Sequence, residues 1–137
     1  MKILSVPKKD QAFQEGFYGR DGETKYAGMH LLAELWHARY LKDSTKIRKI
    51  LIKAIDACGA TMLSIELHTF SPNGGVSGVA VLQESHISIH TWPEFEYAAV
   101  DVFVCGRIDP HRAIEILKNE FKPRRMEVTE IKRGIIP

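Results

Sequence analysis

The chain has 137 residues, 45% of them hydrophobic and 26% charged, with 19 basic side chains against 17 acidic ones and a formal charge of +2. That length suits one domain with its own core, needing neither disulfides nor structural metal, and the even charge balance argues against nucleic acid as the main partner. The longest apolar runs, such as Val79 to Leu82, are too short to span a bilayer, and the N-terminus lacks the apolar stretch of a secretory signal, so a cytoplasmic, non-membrane protein is expected.

Residues 1–25 mix Lys, Asp, Gln, Gly and Glu without sustained periodicity and read as an irregular extension, leaving residues 26–137 as the ordered domain. His30 to Trp36 reads as a strand. A helix then starts at Asp43 or Ser44 as cap, with Ile47, Ile50, Leu51, Ala54, Ile55 and Cys58 on one face and Gly59 as its stop. Leu63, Ile65 and Leu67 alternate with Ser64, Glu66 and His68, the period of a half-buried strand, until Ser71-Pro72-Asn73-Gly74-Gly75 breaks it with turn residues. Val76 to Leu82 and His86 to Thr91 read as two more strands separated by Gln83-Glu84-Ser85. Ala98 to Cys105 is a further strand, and Gly106 releases it into a helix capped by Asp109, opened by Pro110 and closed by Pro123. Ala113, Ile114, Leu117 and Phe121 form that helix's buried stripe, and Met126 to Ile131 returns to the sheet.

This order describes an α+β fold, an antiparallel sheet with two helices packed on one face. The other face must then be polar or meet a partner, and a homodimer is the expectation. Cys58 and Cys105 lie in different elements with no CxxC spacing, which reads as reduced thiols.

Reactive side chains concentrate between Phe70 and Gly106: Ser77, Ser85, His86, Ser88, His90, Thr91, Trp92, Glu94 and Cys105. Taken alone, Glu84-Ser85-His86 reads as an ordinary polar turn, and it is this density that points to a site. His86 and His90 have the i, i+4 spacing of a helical zinc motif, but on an alternating strand their rings stand roughly 13 Å apart, so no metal is assigned. Gly74-Gly75-Val76-Ser77-Gly78 lacks the Lys-Ser/Thr of a phosphate loop and reads as a tight turn. A Cys105–His90 nucleophilic pair stays open at this level, as does Cys105 as a small buried hydrophobe. His68 and Glu66, on the outward face of their strand, receive no role.

Gly75-Val76-Ser77-Gly78-Val79, Glu84-Ser85-His86-Ile87-Ser88-Ile89-His90-Thr91-Trp92-Pro93-Glu94 and Tyr97 through Gly106 together resemble the short prokaryotic S-adenosylmethionine decarboxylases, from about Tyr26 to Gly134. The resemblance implies a layered α/β sandwich formed when two such sheet-and-helix units dimerise, and a proenzyme that cuts itself between Glu84 and Ser85, converting Ser85 into a pyruvoyl cofactor. It also implies His90 as the base of that processing and Ser77 as its hydrogen-bonding helper. The small-molecule substrate's amine would condense with the pyruvoyl ketone as a Schiff base, carbon dioxide would leave, and Cys105 would return a proton. Phe70 and His90 would sandwich adenine, while Trp92 and Glu94 would line the pocket, Glu94 accepting from ribose hydroxyls.

The chain departs from the family pattern in three places: a loop at Ser71–Gly75 one residue longer, Glu96 where glycine is typical, and residues 1–25. An added carboxylate suits a sulfonium but also a guanidinium or ammonium, so arginine and ornithine stand as alternative substrates to S-adenosylmethionine. An uncleaved regulatory paralogue is a further alternative. It predicts loss of the serine or its helpers, and Ser77, Ser85, His90 and Cys105 are all present.

Overall fold

A computed structural model describes residues 19–22 and 24–137. In chain order its elements are β1 (Gly19–Asp21), β2 (Thr24–Trp36), α1 (Ser44–Cys58), β3 (Met62–Thr69), β4 (Val76–Leu82), β5 (Ser85–Trp92), a 3-10 turn at Pro93–Phe95, β6 (Tyr97–Cys105), α2 (Pro110–Phe121) and β7 (Arg125–Ile136). The strands form a sheet in which every pairing is antiparallel, running β7–β2–β6–β5–β4–β3, with β1 pairing the start of β2.

Local chemistry explains most of the boundaries. The Asp43 carboxylate accepts the Lys46 N–H at 3.0 Å and satisfies one of the orphan donors of α1, and Gly59, at φ 78°, closes the helix in the left-handed conformation that glycine adopts without penalty. Asp109 caps α2 by accepting the His111 N–H at 3.1 Å, and Pro110 follows where its missing donor costs nothing. That helix ends at Phe121 because Lys122 turns left-handed, at φ 47°, just before Pro123, whose ring excludes helical backbone from its predecessor.

Both helices pack on one face of the sheet and on each other. Their apolar stripes meet the inward residues of the central strands in one core, to which Leu31, Ile47, Leu51, Val102, Leu117 and Phe121 contribute fully buried side chains. Each such side chain contributes about 1.5–3 kcal/mol by leaving water, so this layer carries most of the fold's stability.

The structure extends or shifts three sequence-based expectations. β2 begins at Thr24 and pairs with β1, so the boundary drawn at Tyr26 falls inside a strand; residues 1–18 and 23 lie outside the described residues. β7 continues to Ile136, beyond Ile131, because β2 is long enough to pair with it from Lys25 to Trp36. Leu63 does not share the half-buried face of Ile65 and Leu67, and is 65% exposed. The register slips between Met62 and Ser64, so Leu63 is the extra residue of a bulge on an edge strand, where alternation fails.

Among the described residues no helix is long and apolar enough to cross a membrane.

Leu117 sits fully buried between helix and sheet. Leu117→Ala is expected to cost about 2–5 kcal/mol of unfolding free energy, read as a fall in the urea midpoint.

Candidate active site

The turn between β4 and β5 is held more tightly than a surface hairpin. Gln83 donates its N–H to Thr61 O at 2.9 Å, and Thr61 in turn donates its N–H to Glu84 Oε1 at 2.9 Å. The second carboxylate oxygen of Glu84 accepts from Arg107 Nη2, also at 2.9 Å, and the Glu84 side chain is only 1% exposed. A buried carboxylate is tolerated because both oxygens are hydrogen-bonded and a guanidinium supplies the opposite charge.

The backbone at this point is unusual too. The Glu84 carbonyl accepts the N–H of Cys105 at 3.1 Å, which is one donor aimed at the oxygen of the Glu84–Ser85 peptide bond. Ser85 itself has φ 148°, a positive value that side-chain-bearing residues avoid and that costs on the order of 1–3 kcal/mol. Ser85 pairs with Val104 and Cys105 ends β6, so strand pairing brings the serine, the preceding carbonyl and the cysteine to one end of the sheet. Leu82, Gln83, Glu84, Ser85 and Cys105 line a cavity there of about 460 Å³. Burial pushes the Cys105 thiol above its ordinary range, while hydrogen bonds and charge from Arg107 pull partly back. The thiol is therefore protonated at neutral pH. Cys58, whose thiol burial pushes up to about 11, is a core residue; both cysteines are free.

Ser77, His90, Phe70, Trp92 and Glu94, also singled out from sequence, collect at the other end of β5. Ser77 and His90 are register partners, with Ser77 Oγ 2.8 Å from His90 Nδ1. Phe70 packs edge-on against His68 with ring centroids 4.5 Å apart, so His68, given no role from sequence, supports the aromatic at the end of β3. Glu94 Oε2 accepts from Asn73 Nδ2 at 3.1 Å, tying the 71–75 loop to the turn after β5. Trp92 stacks on Tyr97 at 5.3 Å, and Tyr97 stacks on Trp36 at 4.4 Å, a ladder across three strands. Burial, reinforced by the adjacent Glu34 carboxylate, pushes the Tyr97 hydroxyl up to about 12.

Within one chain these two groups do not meet. Five residues of extended strand separate Ser85 from His90, about 16 Å at roughly 3.3 Å per residue. His90 of the same chain therefore cannot reach Ser85, and the Cys105–His90 pairing left open by the sequence does not form within it either.

Between the two ends lies a cluster that sequence reasoning did not assemble. His30 Nε2 and His86 Nε2 stand 2.8 and 3.0 Å from Asp101 Oδ1, and Ser88 Oγ donates to the other oxygen. Burial would raise the Asp101 carboxyl, but the hydrogen bonds from Ser88, His30 and His86 outweigh it and hold the group below its usual range. The three residues His30, His86 and Asp101 offer ligand atoms within 4.8 Å of one another. His86 thus partners His30 and Asp101 while His90 partners Ser77, so the two histidines of the i, i+4 pair belong to separate clusters. Asp101 sits between Val100 and Val102 in an apolar strand, a signal of an outward polar position, but nothing local points to His30, seventy-one residues away.

The fold and this end of the sheet define a class: an α+β chain built around a strained serine whose preceding carbonyl is already hydrogen-bonded. Comparison with known proteins is then specific. Residues 29–134 match the family model described as S-adenosylmethionine decarboxylase. The chain is 51% identical over 115 residues to an S-adenosylmethionine decarboxylase proenzyme of Methanococcus maripaludis strain C5, covering 82% of this chain and 93% of that one. It is 43% identical over 113 residues to the proenzyme of that name from Thermomicrobium roseum, covering 82% and 97%. The crystal structure of the adenosylmethionine decarboxylase from Aquifex aeolicus VF5 superposes with a TM-score of 0.72 at 36% identity, covering 82% of this chain and 94% of that one. The chain belongs to the S-adenosylmethionine decarboxylase family.

Glu96, expected from the resemblance to stand in place of a glycine, adopts φ 52°, the left-handed conformation that glycine takes freely, and its carboxylate pairs with His37 Nδ1 at 2.9 Å on the surface. Its departure is thus a backbone matter, partly offset by an exposed contact of small value. Glu96→Gly is expected to raise stability by up to about 1 kcal/mol, measured as a higher denaturant midpoint.

Proposed function

We propose that this chain is a self-processing decarboxylase that converts S-adenosylmethionine to its decarboxylated form, using a pyruvoyl group made from Ser85. The observation that carries the reading is the geometry of the Glu84–Ser85 bond: positive φ at the serine, and the Cys105 N–H already on the carbonyl it would attack. The names of the relatives favour S-adenosylmethionine over arginine or ornithine as substrate.

Processing would start with attack of Ser85 Oγ on the Glu84 carbonyl carbon. The new C–O bond forms as the peptide C–N bond breaks, and negative charge on the carbonyl oxygen is met by the Cys105 N–H. The resulting ester then loses the Ser85 α-proton to a base, the Cβ–Oγ bond breaks, and Glu84 leaves as a carboxylate. The residual dehydroalanine tautomerises and takes up water, releasing ammonia and leaving the ketone at residue 85. Strain at Ser85 is relieved along this path, because the peptide bond that imposes it is the one broken.

The pyruvoyl group supplies the electron sink for decarboxylation, and the chain's own residues do the rest. Cys105, protonated at neutral pH, is the acid that delivers a proton to the carbon left by carbon dioxide. Phe70, Trp92 and Glu94 stand at the His90 end of β5, so they serve the Ser85 of a second copy: Phe70 offers a face for adenine, and Glu94 a carboxylate for ribose hydroxyls. Trp92 acts by fixing that wall through its stack on Tyr97.

His90 and Ser77 complete the site from a second copy of the chain. The sheet face opposite the helices bears Val79, Val81 and Ile131 at 36%, 41% and 42% exposure, together with the His30–Asp101–His86 cluster, a surface suited to burial against its own copy. A two-fold axis crossing the middle of β5 lays the Ser85 end of one copy against the His90 end of the other, which removes the separation found within one chain.

Intact mass of the purified protein should show two fragments divided at Glu84; a single unbroken 137-residue chain would end the proposal. Ser85→Ala is expected to stay whole. Co-expressed Ser85→Ala and His90→Ala chains should form mixed dimers in which the His90→Ala chain is cut, although neither variant is cut alone; no cutting in the mixture would overturn the shared site. Cys105→Ala is expected to cleave, if more slowly, yet lose at least about a hundredfold in carbon dioxide release. Because the thiol titrates above its ordinary range, activity that depends on it should be full at neutral pH and decline only as alkaline pH removes that proton.

A further inference from the structure

We infer that Arg107 is a positioning residue for self-cleavage, acting through Glu84 to hold the scissile carbonyl on its oxyanion donor. The inference rests on the self-processing function proposed for Ser85 and adds a component outside the Glu84-Ser85-His86 motif.

Glu84 is bound at two points that converge on one backbone unit. Its carbonyl accepts the Cys105 N–H at 3.1 Å, and its buried carboxylate is gripped by Thr61 N–H and Arg107 Nη2, each at 2.9 Å. Thr61 belongs to the approach to β3, whereas Arg107 comes after β6, directly behind Cys105 and Gly106. One short segment, residues 105–107, therefore grips both ends of Glu84: Cys105 the carbonyl, Arg107 the side chain. Rotation of the Glu84 backbone that would take its carbonyl off the Cys105 N–H would also have to pull the carboxylate from Arg107 and Thr61. Breaking a buried pair leaves an uncompensated charge, so the clamp is stiff. Stiffness matters because the reaction needs the Ser85 oxygen and the Glu84 carbon in near-attack geometry, where small displacements carry large rate penalties.

The clamp keeps its hold once the chain is cut. When Glu84 leaves as a carboxylate it becomes the terminus of the first fragment, carrying two negative charges next to Arg107 and the Cys105 N–H. The same contacts would keep that fragment seated.

The experiment tracks cleavage of freshly translated chain by gel over time, for the wild type and for Arg107→Ala, Arg107→Lys, Glu84→Gln and the Arg107→Ala/Glu84→Gln double variant. Arg107→Ala is expected to slow cleavage by about ten- to a hundredfold, and Arg107→Lys, which keeps the charge but not the planar guanidinium, by less. In the double variant no buried charge is stranded, so its rate should lie near that of the slower single variant and not at the product of the two effects. Each substitution placed in the uncut Ser85→Ala chain gives a melting temperature, which separates loss of fold from loss of positioning. Unchanged cleavage in Arg107→Ala would overturn the inference, as would slowing that scales only with lost thermal stability. An uncut wild type would instead overturn the self-processing function on which it rests.

Discussion

The pairing of β5 with β4 on one side and β6 on the other is the constraint from which the rest of the site derives. It sets Ser85 beside Val104, and so beside Cys105, at one end, and His90 beside Ser77 at the other. Ladder hydrogen bonds along both edges leave β5 no freedom to fold back. Chemistry that needs both ends must therefore be completed by something other than this chain, and the sheet's helix-free face, with valines and isoleucine exposed among polar residues, is the surface on which a second copy would do it.

The sheet's two faces differ in character. The helix side is apolar and buried, and its residues fit by volume and period: Leu31, Val102, Leu117 and Phe121 meet there without a polar atom to satisfy. The opposite side carries histidines, serines and Asp101, each satisfied by a neighbour on an adjoining strand. A rigid apolar layer thus supports a polar face whose geometry it sets, which is how a small domain can hold a strained residue such as Ser85 without losing its fold.

Glu84 shows how closely the two requirements are joined. Its side chain is treated as a core element, sealed and neutralised, while its carbonyl is the atom group that the proposed reaction attacks. Anchoring the side chain fixes the carbonyl, since the two share one Cα. An ordinary turn glutamate would point to water and leave the carbonyl free to rotate.

How much of this could be read from the amino acids depended on the range of the interaction. The helices from Asp43 to Gly59 and from Asp109 to Phe121 were legible because caps, periodicity and glycine or proline stops act within a few residues, and the alternation of Ile87 and Ile89 with Ser88 and His90 marked β5 for the same reason. The long motif around Glu84-Ser85-His86 pointed to the chemistry, and Ser77, His90 and Cys105 were named with it. Strand order, the bulge at Leu63, the meeting of His30 with Asp101 and the grip of Arg107 on Glu84 were not legible, because each depends on segments brought together by pairing and packing across tens of residues. The amino acids alone dictate the local elements and the reactive residue types. Which of those residues stand together is a matter of strand pairing, and it places Ser85 and His90 at opposite ends of one strand, because an extended backbone hydrogen-bonded on both sides holds its length.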